Sequence, residues 1–214
     1  MYNTTAIIQA LINQTVKRIF EMKFNCDITP VSNQIKTKPS SFYYFGDLCY
    51  IFDSENWNKV CDIIGSEQNI CINGNTDIKL KNGFVPSVIA FASTDCGDGT
   101  YQTQKNISSN SLNVIQTVDY TPVDSGTIGL VEIGSEEEFE LLKQELNLYR
   151  RPVGTVFKTT EDVISLSVIE GRMDVGDDEE CVDASIYNIA VTNKENNILL
   201  EVATDDSYCL IEWE

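Results

Sequence analysis

The chain has 214 residues, 42% hydrophobic and 22% charged, which is length and apolar content enough to bury roughly 70% of the unfolded surface and too apolar for a disordered chain. A formal charge of -18, with a pI near 4.2, argues against a protein whose main work is gripping phosphates. With no histidine anywhere, Ser-His-Asp and Cys-His catalysis are excluded, as are histidine-containing zinc sites.

Taken in order, residues 4–24 hold Ile8, Leu11, Ile12, Thr15, Ile19 and Phe20 on one helical face with Lys17 and Arg18 beside it, the pattern of an amphipathic helix. Residues 25–41, with Pro30 and Pro39, read as an extended linker. Two aromatic runs, 42–45 and 48–52, flank Gly46-Asp47 and predict a hairpin buried on both faces. A short helix follows from about Ser54, with Trp57, Val60, Cys61 and Ile64 as its apolar side and Gly65 as its stop. Residues 70–72 and 78–80 read as a second hairpin across Asn73-Gly74-Asn75, and 84–92 as a buried strand in which Pro86 favours an edge or a bulge.

Residues 93–113 are polar and predict a long loop or arm. Strands are expected at 112–118 and 127–133. Ser135-Glu136-Glu137-Glu138 then has the form of a capping box, opening a helix that buries Phe139, Leu142, Leu146 and Tyr149 and ends at Arg150, Arg151 and Pro152. The remainder reads as a meander of strands at 163–169, 186–192, 198–203 and 208–213, with the acidic run 174–183 as the loop between the first two. The expected class is α+β: mostly antiparallel strands in a sandwich or curled sheet, with about three helices packed on one side. The expected organisation is an N-terminal helix (1–24), a linker (25–41) and one α+β domain (42–214) that could divide near 93–110.

Seven cysteines, none closer than ten residues to the next, give neither a disulfide framework nor a CxxC pair. They predict reduced, buried side chains and a cytoplasmic rather than secreted protein, and Cys61 in particular is expected in the core. No stretch reaches the ~18 apolar residues of a membrane span, and nothing resembles a signal peptide. Three oxygen-rich stretches, 174–183, Asn73-x-Asn75-x-Asp77 and 95–99, fall short of an EF-hand pattern. No phosphate-binding glycine loop occurs. No catalytic residue, cofactor or metal is therefore expected.

Charge is unevenly placed. Residues 1–40 hold five bases and two acids, whereas 135–214 hold twenty acids and six bases. This polarity, with a terminal amphipathic segment, predicts a non-enzymatic assembly protein that associates head to tail with other protein subunits and recognises neither a nucleic-acid sequence nor a membrane. Its contact residues would be Ile8, Leu11, Ile12, Lys17, Arg18 and Ile19 on one side and Asp177, Asp178, Glu179 and Glu180 on the other. The asparagine- and isoleucine-rich composition with many short hairpins narrows the expectation to a neck, connector or ring subunit of a phage virion, found in the host cytoplasm and the particle. An acidic inhibitor that occupies a basic cleft, or a carboxylate- or metal-dependent hydrolase, are the other classes the composition allows.

Overall fold

The structure, a computed structural model, describes residues 26–64, 69–73, 77–94, 96–106, 109–146, 152–174 and 183–204. These residues build two six-stranded sheets and two α-helices. The first sheet contains β1 (Cys26–Lys36), β5 (Gly99–Lys105), β7 (Tyr120–Val123), β10 (Val163–Asp174), β11 (Asp183–Asn193) and β12 (Ile198–Ala203) in the order β1-β10-β11-β12-β5-β7. The second contains β2 (Phe42–Gly46), β3 (Asn69–Asn73), β4 (Val88–Ser93), β6 (Leu112–Gln116), β8 (Thr127–Gly134) and β9 (Gly154–Thr159) in the order β3-β4-β8-β2-β9-β6. Neighbouring strands run antiparallel.

Period-two alternation explains how the layers stack. In β2, Tyr43 and Phe45 enter an apolar cluster shared with Ile164, Leu166, Ile189, Val191 and Val202 of the first sheet, so the two sheets pack face to face. Phe42 and Tyr44 point the other way, into a second cluster with Val60 and Phe139 of the helices α1 (Ser54–Ile64) and α2 (Glu136–Leu146). The molecule is thus sheet, sheet, helices, and β2 sits in the middle layer with all five residues buried. Phe42 stacks on Phe139 at 4.9 Å and Tyr43 on Phe157 at 5.8 Å between ring centroids. Gly129 in β8 is required by this packing: a Cβ there would stand 2.4 Å from the Leu48 side chain.

The expected antiparallel sandwich with helices on one side is present, with two α-helices among the described residues. The amphipathic N-terminal segment, the end of the second helix at Arg150 and Arg151, and the strand at 208–213 lie outside them. Several expectations are corrected. Within the expected linker 25–41, Cys26–Lys36 form a strand that pairs with β10 at the edge of the first sheet, and the register slips between Thr29 and Asn33, around Pro30. Gly46-Asp47 makes no hairpin. Asp47 instead caps a 3-10 turn, Leu48–Tyr50, by accepting from the Cys49 amide, which frees β2 to pair with β8 and β9. Residues 70–72 pair with β4, not with 78–80; Leu80 only bridges to Phe52. The strand expected at 84–92 begins at Val88, since Phe84 closes a turn by accepting from the Leu80 amide. The supposed loop at 93–113 contains β5, whose alternation is carried by one buried aromatic, Tyr101, among Thr and Gln. The chain passes from the second sheet to the first in this stretch. Cys61 is exposed, one position off the buried side of α1.

Candidate functional site

Two buried carboxylates hold loops to the sheets. Asp47 accepts four hydrogen bonds: from the Cys49 amide (2.9 Å) and the Ser125 hydroxyl (2.6 Å) at Oδ1, and from the amides of Asp124 (2.7 Å) and Ser125 (3.0 Å) at Oδ2. The group is fully buried and fully satisfied, so it ties the turn after β2 to the turn before β8. Around it, burial and then the neighbouring Asp47 carboxylate push the Cys49 thiol far above its usual range, and burial together with a hydrogen bond donated to Asp124 does the same to Tyr50. Cys49 is therefore a poor nucleophile.

Glu132, in the middle of β8, is 3% exposed. Lys38 Nζ lies 2.9 Å from both of its oxygens and the Ser41 hydroxyl donates at 2.7 Å. Opposite it, the Tyr43 hydroxyl accepts from the Lys38 amide, and burial pushes its pKa up to about 12. Both carboxylates hold the fold together, with their lone pairs already engaged.

A third polar group faces outward. The first sheet turns Ile164, Leu166, Ile189 and Val191 toward the second sheet, so Ser165, Ser167, Ile169, Asn188, Ala190, Thr192, Glu201 and Ala203 lie on its outer face. Cross-strand register sets them side by side as Ser165 with Thr192, Ser167 with Ala190 and Glu201, and Ile169 with Asn188 and Ala203. Glu201 accepts from the Asn188 amide at 3.1 Å, burial raises its pKa, and Asn188 Oδ1 has no hydrogen-bond partner.

β10 and β11 pair continuously from Ile164–Asn193 to Asp174–Asp183. Among the described residues β1 pairs with β10 from Val163 to Gly171, which lies opposite Cys26, and β12 with β11 from Thr192 to Asn188, with the Thr204 amide donating to the Tyr187 carbonyl beyond. In sequence, the acidic run 175–182 joins β10 to β11 at the end of the sheet where β1 begins.

The expected contact residues, Ile8, Leu11, Ile12, Lys17, Arg18, Ile19, Asp177, Asp178, Glu179 and Glu180, lie outside the described residues. Among the described residues, no three Cys, Asp or Glu side chains are grouped to hold a metal ion, and no helix is long and apolar enough to cross a membrane. Sequence reasoning missed Asp47, Glu132 and Glu201. Each is a lone acid inside an otherwise apolar run, and that interruption was the available signal. No family model, curated protein or solved structure matches the chain.

Proposed function

We propose that the protein is a non-enzymatic assembly subunit acting through protein–protein contacts, in its specific form a head-to-tail ring, neck or connector subunit of a phage virion. The observation that carries this reading is the sheet order, in which β1 pairs with β10 and β10 with β11, so that the acidic run 175–182 joins β10 to β11 at the end of the sheet where β1, preceded in sequence by the basic N-terminal segment, begins. A run of one sign and a segment of the other, joined to one sheet, would give each copy two complementary contacts, the arrangement a heterologous ring requires. Asp47 and Glu132 are engaged in holding loops, which leaves surfaces rather than a buried charge to do the work. The protein would act in the host cytoplasm and in the particle.

Purification from the native source at low and high salt, with mass spectrometry of what accompanies the protein, tests the reading. Recovery within a large particle or with several structural proteins is the expected result. Recovery with a single basic enzyme that is lost at high salt, or recovery alone, would replace it with inhibition or with a pocket-based activity.

A further inference from the structure

Asn82-Gly83 is one of two Asn-Gly pairs in the chain, the other being Asn73-Gly74. Such a pair is chemically labile because glycine has no Cβ to shield its own amide nitrogen. That nitrogen attacks the asparagine Cγ, the side-chain amide leaves as ammonia, and the cyclic imide that remains takes up water to give aspartate or isoaspartate. Water is the only co-reactant. Nothing steric prevents the reaction at Gly83, which is exposed and where a Cβ would meet no atom within 4 Å.

The folded turn opposes it through hydrogen bonds. Gly83 has a φ of 83°, the left-handed residue of a turn in which its amide donates to the Leu80 carbonyl at 2.8 Å and the Leu80 amide donates to the Phe84 carbonyl at 2.9 Å. The nitrogen that must attack is thus committed to the backbone. The side chain is held as well: Asn82 Oδ1 accepts from the Phe84 amide at 3.0 Å. Nδ2, the leaving group, donates to the Glu138 carbonyl at 2.7 Å and lies 3.5 Å from the Ile133 carbonyl. Those carbonyls stand on either side of Ser135, at the end of β8 and in the first turn of α2.

We infer that Asn82 is a deamidation site gated by the seating of α2. With the helix in place the amide persists; once the helix lifts, the pair reacts as it does in an unfolded chain. The change runs one way. Aspartate at 82 keeps the acceptor for Phe84 but has no donor for Glu138 and turns a charged oxygen toward a carbonyl. Isoaspartate lengthens the backbone of a tight turn. Either product holds α2 less firmly, so the modified chain opens more readily than the one it came from. The inference concerns a single chain and stands whether or not the protein assembles.

The test is incubation of the full chain at mildly alkaline pH, in buffer and in guanidinium chloride above the unfolding transition, with peptide mass spectrometry following both Asn-Gly pairs. In denaturant Asn82 should react as fast as Asn73. In buffer it should react at least ~tenfold slower than in denaturant. Denaturant below the transition should speed loss at Asn82 while circular dichroism shows the sheets intact, and Phe139→Ala, which removes the ring stacked on Phe42, should do the same in buffer. Asn82→Asp, the product itself, should lower the Tm by roughly 2–4 °C. Equal rates at Asn82 in buffer and in denaturant would overturn the inference. So would a rate that rises only as the sheets melt, since opening would then be global, or an Asn82→Asp variant as stable as the wild type.

Discussion

Asp47 joins two turns 78 residues apart in sequence through a carboxylate that accepts four hydrogen bonds away from water. Asp47→Ala leaves the amides of Asp124 and Ser125 without an acceptor and should cost about 3 kcal/mol, since each orphaned buried donor costs on the order of 1–3 kcal/mol. Urea unfolding checks this, and a loss below about 1 kcal/mol would mean that water replaces the carboxylate. Glu201 makes the opposite case. Burial raises its pKa above the ordinary 4.5, so between 4.5 and the folded value the native chain holds a proton that the unfolded chain has released. Its favourable contribution is complete below 4.5 and is lost as the pH rises through the folded value. Glu201→Gln keeps an acceptor for Asn188 and should raise the neutral-pH Tm by a few degrees, a gain that vanishes as the pH falls below 4.5. A Tm difference that does not change with pH would contradict the burial of this charge.

At the scale of elements, what was legible followed how local the signal is. The helix after β8 could be read because its start is written in four consecutive residues: the Glu138 amide donates to the Ser135 hydroxyl at 3.4 Å and the Ser135 amide to the Glu138 carboxylate at 2.5 Å. Ser135→Ala should therefore destabilise the protein by about 1 kcal/mol, read by thermal unfolding, with Ser135→Asp restoring it. Strand partners were not legible in the same way. Gly46-Asp47 has the residues of a hairpin turn, but the outcome was decided by Asp124 and Ser125, which no local pattern links to it. Likewise β5 escaped notice because one face looks to solvent through Thr100, Gln102 and Gln104, and Tyr101 alone marks the other. Cys61 was misplaced by a single position, about 100° of helix, because Val60 and Trp57 already define the buried side.

For the whole molecule, the aromatic stretch 42–45 announced a strand buried on both faces, and that is the middle layer of the fold. The polarity of charge along the sequence was equally plain, but its spatial meaning required the sheet order: β1 pairs β10, so β1 begins at the end of the sheet where the acidic run 175–182 joins β10 to β11 in sequence. If the ends of neighbouring copies meet through these charges, association must weaken with salt, since exposed charges beyond about 8–10 Å are screened at physiological ionic strength. The most direct test of the assembly account is sedimentation velocity of the full chain over a concentration series at low and high salt, beside a Lys17→Glu/Arg18→Glu variant. The account predicts salt-sensitive oligomers in the wild type and at least tenfold weaker association in the variant. Association unchanged by the charge reversal, or a monomer at every concentration and salt, would contradict it.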